Sequence, residues 1–170
     1  MSPRLVIVGA PGAGKTTVGE LLAQRWNTSF ADSDHLVADR AGTSVADIFV
    51  LEGEEAFRVL EREAVEKSIV EHEGVLALGG GAILDPTTRQ LLVGLPVLLL
   101  TVAPGAAASR IGLNRDRPLL LGNVRGRLKT LMSERSAYYA EVARWSVATD
   151  DLDPAAVADE VECLMAGSTP

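Results

Sequence analysis

The chain has 170 residues, 47% hydrophobic and 23% charged, a balance that suits one globular domain, residues 1–170, with a sizeable core. Its formal net charge of −7 argues against nucleic-acid binding, which needs an excess of Lys and Arg. The single cysteine excludes an internal disulfide, and no apolar run reaches the ~18 residues of a transmembrane helix. We therefore expect a cytoplasmic protein without nucleic-acid or membrane partners, and we take it to be a monomer, although the sequence does not give the oligomeric state.

The predicted elements alternate short apolar runs with longer amphipathic stretches. Strands are predicted at 5–8, 29–31, 75–78, 96–102 and 145–148. Helices are predicted at 15–26, 34–41, 54–71, 86–92, 105–111, 124–142 and 154–165, with Ser44 as the cap of a further short helix. Strands that alternate with helices indicate an α/β fold in which helices cover both faces of a parallel sheet.

Polar and glycine-rich segments follow three of the predicted strands directly. They are residues 9–16, the pair Asp32 and Asp34, and the triplet 79–81. Ligands of parallel sheets bind beyond the carboxyl ends of the strands. The sequence therefore predicts one site at one edge of the sheet, built from all three segments.

Residues 9–16, GAPGAGKT, match the phosphate-binding P-loop pattern G-x-x-x-x-G-K-[ST] in full. Glycines let the backbone wrap a phosphate, Lys15 reaches the β- and γ-phosphates, and Thr16 supplies a hydroxyl ligand for Mg²⁺. A ligand-free glycine turn would not require Lys-Thr after its last glycine. The predicted ATP-binding residues are Gly12, Ala13, Gly14, Lys15, Thr16 and Thr17.

Asp32 and Asp34 are alternate residues, which share one side of an extended chain. One carboxylate could hold water on Mg²⁺ and the other could orient an acceptor hydroxyl. The alternative is a helix N-cap. The triplet 79–81 could bring its backbone close to a ligand because no Cβ blocks it, or it could be a flexible turn.

Local sequence alone does not decide whether Arg58, Arg117 and Arg135 are site residues or surface residues. Arg58 lies at helical spacing from Glu54 and Glu61, which is typical of a solvated helix face with ion pairs. Arg117 lies in the polar segment 113–122, either a surface loop or a mobile lid that brings a cation over the phosphates. Arg135, in a charged helix, is unremarkable alone.

Rival classes of P-loop protein fit less well. A GTPase would carry an Asn-Lys-x-Asp motif, which the sequence lacks. A motor-type ATPase would carry Asp-Glu after an apolar strand, whereas the strand at 75–78 ends in three glycines. A non-catalytic nucleotide sensor stays open, although it would need no acceptor site.

In combination, the motifs resemble the shikimate kinase family along almost the whole chain. The matching motifs are the P-loop, Asp32-Ser33-Asp34, Phe49…Phe57-Arg58…Glu61, Gly79-Gly80-Gly81-Ala82, Arg117-Pro118-Leu119-Leu120, and Arg135 before Tyr138-Tyr139. The resemblance implies a three-layer α/β/α P-loop fold with a five-stranded parallel sheet. It also implies an acceptor-binding helical region at about 34–62 and a mobile lid at about 113–124.

The resemblance further implies transfer of phosphate from ATP to the 3-hydroxyl of shikimate, with Mg²⁺, in the pathway to aromatic amino acids. By analogy, Lys15, Asp34 and Arg117 are catalytic, Arg110 stacks on adenine, and Asp32 holds Mg²⁺ through water. The implied acceptor-binding residues are Asp34, Phe49, Phe57, Arg58, Gly79, Gly80, Gly81 and Arg135. A kinase for another small hydroxylated acid, such as gluconate, is the nearest alternative.

Overall fold

The computed structural model describes residues 1–112 and 123–167. In this part of the chain the strands are β1 Leu5–Gly9, β2 Phe30–Asp32, β3 Val75–Ala77, β4 Val97–Thr101 and β5 Trp145–Ala148. The α-helices are α1 Lys15–Arg25, α2 Ser33–Ala41, α3 Val45–Leu51, α4 Glu54–Glu71, α5 Pro86–Leu92, α6 Pro104–Ile111, α7 Val124–Val142 and α8 Pro154–Gly167. None of these helices combines the length and apolarity that crossing a membrane requires.

The five strands form one sheet in the order β2-β3-β1-β4-β5, and every neighbouring pair is parallel. In β1, Val6 lies opposite Leu76 of β3 and Val97 of β4. The five-stranded parallel sheet expected from the sequence is confirmed. Because β3 lies between β1 and β2, the segments that follow these three strands meet side by side at the carboxyl edge.

Alternation along β1 divides the core between the two faces of the sheet. Leu5 and Ile7 pack in a cluster with residues of α1, α6 and α8, whereas Val6 and Val8 pack in a second cluster with residues of α4 and α5. Successive side chains of a strand point to opposite faces, so both faces of β1 are covered by helices. This is the three-layer arrangement predicted from the sequence.

Helices α2, α3 and α4 pack around a third, smaller cluster. Its buried members are Val37, Ile48, Phe57 and Ala64. Local signals set the ends of these helices: Gly42 ends α2 with a φ of 68°, and the Ser44 hydroxyl accepts the N–H of Asp47 at the start of α3. This unit corresponds to the helical region predicted at about 34–62.

Helix α2 begins at Ser33, one residue earlier than the sequence analysis placed it. Asp32 is its N-cap, and Asp32 Oδ1 accepts the N–H of Asp34 at 2.9 Å. The expectation that Asp32 and Asp34 share one side of an extended chain is therefore wrong, because the cap turns the backbone into the helix after Asp32. Asp34 reaches the edge of the sheet from the first turn of α2.

Candidate active site

The segment between β1 and α1 forms an anion-receptive turn. Gly12 and Gly14 have φ values of 80° and 93°, a left-handed region that glycine adopts without strain. Gly14 is the N-cap of α1 and has no side chain to accept a hydrogen bond from the first turn. The N–H groups at this helix start can therefore point at a phosphate, and the helix dipole favours negative charge there.

The two polar side chains of the motif are anchored within the same edge. Lys15 Nζ donates to the carbonyls of Gly9 at 2.8 Å and Ala10 at 3.1 Å, so its ammonium lies over the loop. Thr16 Oγ1 donates to Asp32 Oδ2 at 2.9 Å. Asp32 thus caps α2 with one oxygen, as the N-cap alternative predicted, and accepts a hydrogen bond from the P-loop hydroxyl with the other.

The far side of the P-loop is tied to the ends of β5 and α6. Arg110 Nη1 donates to the Gly12 carbonyl at 3.0 Å, and Arg110 Nη2 donates to the Thr149 carbonyl at 2.6 Å. The buried Thr149 hydroxyl lies 2.9 Å from the Ala13 carbonyl. Arg110 is therefore held by in-plane hydrogen bonds beside the loop, and Thr149 is a loop-supporting residue that the sequence analysis left out.

Gly79, the first glycine after β3, makes room for two carboxylates. A Cβ at this position would lie 2.5 Å from Asp34 Oδ1 and 2.7 Å from Glu61 Oε1. The Gly79 N–H donates to the buried Ser33 hydroxyl at 2.8 Å, which attaches this turn to the start of α2. Asp34 and Glu61 therefore approach the sheet edge from two different helices, and their oxygens lie where a side chain at Gly79 would otherwise be.

The next two glycines make room for the P-loop and for two arginines. A Cβ at Gly80 would lie 3.0 Å from Pro11 Cδ and 3.4 Å from Arg135 Nη1. A Cβ at Gly81 would overlap both terminal nitrogens of Arg58 and lie 2.6 Å from its Cζ. Residues 79–81 thus form a surface of bare backbone, here called the glycine wall. The Asp34 carboxylate, the guanidiniums of Arg58 and Arg135 and the P-loop pack against it.

Arg58 is held in a carboxylate network on α4. Arg58 Nη1 donates to Glu61 Oε2 at 2.6 Å, and Nη2 donates to Glu54 Oε1 at 3.3 Å. Burial lowers the pKa of Arg58, but Glu61 and Glu54 outweigh it and hold that pKa above its ordinary value. The ion pairs expected from the local sequence are formed, but the face is only partly solvated, because the side chains of Glu54, Arg58 and Glu61 are 51%, 24% and 4% exposed.

Glu61 is the buried member of this network, with only 3% of its surface exposed. Its Oε1 atom has no hydrogen-bond partner among the described residues. Burial raises the pKa of Glu61, the charge of Arg58 opposes that shift, and the nearby Asp34 carboxylate adds to it. Glu61 belongs to the Phe57-Arg58…Glu61 motif, but nothing in its local sequence indicates a site residue.

Arg135 is also buried, at 4% exposure, on the face of α7 that packs against the glycine wall. The Tyr139 hydroxyl, one helical turn later, donates to the Gly80 carbonyl at 2.5 Å. Neither residue stands out locally in the charged sequence of α7, and Tyr139 was missed as part of the site. Arg58 and Arg135 therefore reach adjacent glycines from α4 and α7.

A pair of phenylalanines, one of which contacts Arg58, lies beside the site. The rings of Phe49 and Phe57 are 4.6 Å apart between centroids, and the Arg58 Cζ lies 5.4 Å from the Phe57 ring centroid. Phe57 is 3% exposed and belongs to the small cluster of α2–α4. The pair forms an apolar support on the arginine side of the site.

With this geometry in view, sequence comparison gives the family. The family profile described as shikimate kinase matches residues 11–165. A shikimate kinase of Saccharopolyspora erythraea is 48% identical over 162 residues, which cover 95% of this chain and 93% of that protein. One of Thermobifida fusca is 50% identical over 157 residues, covering 92% and 91%. The chain belongs to the shikimate kinase family.

Solved structures agree with the family assignment. The shikimate kinase of Acinetobacter baumannii in complex with shikimate matches with a TM-score of 0.94 and 32% identity, covering 99% of this chain and 95% of that one. A gluconokinase of Sinorhizobium meliloti matches at a TM-score of 0.61 and 17% identity, covering 97% of each chain, which is a likeness of fold alone. The predicted fold and the predicted ATP-dependent shikimate kinase activity are confirmed.

The structure brings most of the predicted site residues to one edge. Around the P-loop and the glycine wall it collects Gly12, Ala13, Gly14, Lys15, Thr16, Asp32, Asp34, Arg58, Gly79, Gly80, Gly81, Arg110 and Arg135. Arg117 lies outside the described residues, as does the predicted lid at 113–124 apart from its last two positions. The individual role of each residue stays a prediction.

Proposed function

We propose that this chain transfers the γ-phosphate of ATP to the 3-hydroxyl of shikimate, giving 3-phosphoshikimate and ADP. The observation that carries the proposal is the convergence of Asp34, Arg58 and Arg135 on three successive glycines beside the P-loop. A hydroxylated ring acid needs this combination, because paired guanidiniums grip a carboxylate and a carboxylate must lie beside the reacting hydroxyl. The product belongs to the pathway that leads to aromatic amino acids.

On the acceptor side, Asp34 orients the 3-hydroxyl and receives its hydrogen bond. Arg58 and Arg135 hold the acceptor carboxylate from opposite sides, which fixes the ring so that the hydroxyl faces the nucleotide. The backbone of 79–81 forms the floor, while Phe49 and Phe57 provide the apolar flank. The support for this division is that Arg135 is buried and that the Arg58 side chain is only 24% exposed, so water screens their charges less than it would on an open surface.

On the nucleotide side, the N–H groups of Gly12, Ala13 and Gly14, with those of Lys15, Thr16 and Thr17, bind the phosphates. Lys15 leaves the loop carbonyls and follows the charge that develops on the γ-phosphoryl group. Arg110, whose in-plane donors are engaged by Gly12 and Thr149, offers its flat face to adenine. We assign Arg117 to the phosphates as a lid cation.

The pair formed by Thr16 and Asp32 fits a magnesium site. Their hydroxyl and carboxylate oxygens lie 2.9 Å apart at the start of α1, and oxygen ligands of these types are those that Mg²⁺ accepts. We propose that Thr16 would ligate the ion and that Asp32 would hold it through water. Bound Mg²⁺ would supply positive charge against the phosphate oxygens.

We also propose a single-domain, monomeric enzyme of the cytoplasm that has only small-molecule partners. Its formal net charge of −7 leaves anion binding to a few local cations and disfavours a nucleic-acid surface. Sedimentation equilibrium would detect a dimer if one forms.

A coupled ADP-release assay tests the function. Reactions contain ATP and Mg²⁺ with shikimate, with gluconate, or with no acceptor, and phosphorus NMR identifies the product. We expect rapid ADP release only with shikimate, together with one phosphomonoester product. Equal release with gluconate would favour the broader acceptor class, and release without any acceptor would favour an ATPase or a sensor.

A further inference from the structure

The Tyr139 hydroxyl occupies a junction in the acceptor half of the site. Tyr139 is 5% exposed, and its hydroxyl donates to the Gly80 carbonyl at 2.5 Å. The Arg135 guanidinium reaches the same glycine, because its Nη1 lies 3.4 Å from the position that a Cβ at Gly80 would take. The phenol hydroxyl thus uses its single donor on the Gly80 carbonyl and keeps lone pairs that can accept from the neighbouring Arg135, an arginine of the proposed carboxylate grip.

Helix geometry explains how Tyr139 reaches Arg135. The two residues are four apart on α7, so their side chains lie on one face of the helix. Burial raises the pKa of the Tyr139 phenol, and of the two charges on α4, Arg58 lowers that pKa and Glu61 raises it. The hydroxyl therefore lies where α4, α7 and the turn after β3 come together.

Fixing the Gly80 carbonyl has a consequence for the next residue. The Gly80 carbonyl and the Gly81 N–H belong to one planar trans peptide, so they point in opposite directions. A hydrogen bond that holds the carbonyl toward α7 therefore also sets the direction of the Gly81 N–H. Glycine backbone would otherwise rotate freely here, because it has no Cβ to restrict it.

We propose that Tyr139 is a positioning residue for the acceptor carboxylate. Its hydroxyl holds the Arg135 fork in the orientation for a two-point grip and holds the Gly80–Gly81 peptide that faces the same acceptor. The inference rests on the proposed function, because it requires that Arg135 binds the acceptor. It assigns the role to the hydroxyl, since the Tyr139 ring packs with Leu76, Leu78 and other core residues in any case.

The test compares Tyr139→Phe with Tyr138→Phe, which removes the adjacent hydroxyl. The Tyr138 ring centroid lies 4.3 Å from the Arg89 Cζ, and a phenylalanine keeps that contact. Binding of shikimate and of ATP is measured by calorimetry, and steady-state rates by ADP release. We expect Tyr139→Phe to weaken shikimate binding roughly tenfold and to change ATP binding by less than about twofold.

A double-mutant cycle with Arg135→Ala separates positioning from packing. If Tyr139 acts through Arg135, Tyr139→Phe has almost no further effect on shikimate binding once Arg135 is removed. The inference would be overturned if the losses of shikimate affinity caused by the two substitutions multiply in the double variant. It would also be overturned if Tyr139→Phe weakens the binding of shikimate and of ATP equally. A Tyr139→Phe variant that matches Tyr138→Phe would overturn it as well.

A second measurement needs no substitution at Tyr139. The chain has two tyrosines, so fluorotyrosine incorporated into Tyr138→Phe labels Tyr139 alone. We expect its fluorine resonance to shift when shikimate is added and not when ATP is added, and an unchanged resonance would contradict the role. If the wild-type enzyme shows no shikimate-dependent ADP release, the proposed function itself is refuted. Failure of the inference about Tyr139 and failure of the proposed function are therefore distinguishable.

Discussion

Gly79→Ala is the substitution that tests the glycine wall most directly. The backbone at Gly79 lies outside the left-handed region, so an alanine is unstrained there and only its methyl group matters. That methyl carbon would lie 2.5 Å from Asp34 Oδ1 and 2.7 Å from Glu61 Oε1. Ordinary contact begins at 3.4 Å, so the two oxygens must retreat by about 0.9 Å and 0.7 Å.

The cost follows from how closely Asp34 must be placed. A displacement of about 1 Å at a reacting group lowers the rate by roughly a hundredfold. Overpacking a buried site also costs about 1–3 kcal/mol of folding free energy. We expect kcat/KM for shikimate to fall roughly a hundredfold while ATP binding changes by less than about twofold, because the displaced groups lie on the acceptor side.

Gly105→Ala is the matched control. A Cβ at Gly105, on the exposed surface of α6, meets nothing within 4 Å, and alanine favours the helix there. Steady-state kinetics, calorimetry and urea unfolding are run on both variants. If Gly79→Ala keeps its kcat/KM for shikimate within about threefold of the control, then Asp34 does not act from its position beside Gly79.

Three further predictions concern charged residues of the site. Lys15→Ala should lower the rate of ADP release at least a hundredfold. Lys67→Ala, which removes only an exposed ion pair with Glu71, should leave that rate unchanged. Activity of Lys15→Ala within tenfold of wild type would refute the role of Lys15 in phosphate binding. Arg58→Ala should weaken shikimate binding in calorimetry at least tenfold and ATP binding by less than about twofold; equal losses would contradict the carboxylate assignment. Because burial raises the pKa of Glu61, the folded state retains its proton above the pH at which the unfolded chain releases it. The stability of wild type relative to Glu61→Gln should therefore fall in urea titrations as the pH rises from about 4.5 through the raised pKa, and a constant difference would exclude this linkage.

The fold was predictable because its signals are local. The helices at 54–71 and 124–142 and the strand at 145–148 have the boundaries expected from periodicity and caps. The P-loop was predictable because its pattern specifies backbone conformation, charge and hydroxyl within eight consecutive residues.

The interior of the acceptor site was only partly predictable. Glu61 looked like a surface partner of Arg58, since the local sequence does not contain the glycine wall that buries it. Tyr138 and Tyr139 are adjacent, and only the packing of α7 determines which hydroxyl reaches Gly80. Thr149 follows the last strand, and its contact with Ala13 joins residues 136 positions apart. Burial and long-range contacts of this kind are properties of the tertiary structure.

The contact between Pro11 and Gly80 has a consequence for redesigning this enzyme. A methyl group at Gly80 would already be 3.0 Å from Pro11 Cδ, so a larger residue there would push the P-loop away from the glycine triplet and separate the proposed nucleotide and acceptor sites. Phosphoryl transfer tolerates little extra separation between its two reactants. Attempts to change acceptor specificity should therefore leave this partition intact and vary the opposite boundary, where α2, α3 and α4 surround an apolar cluster of their own.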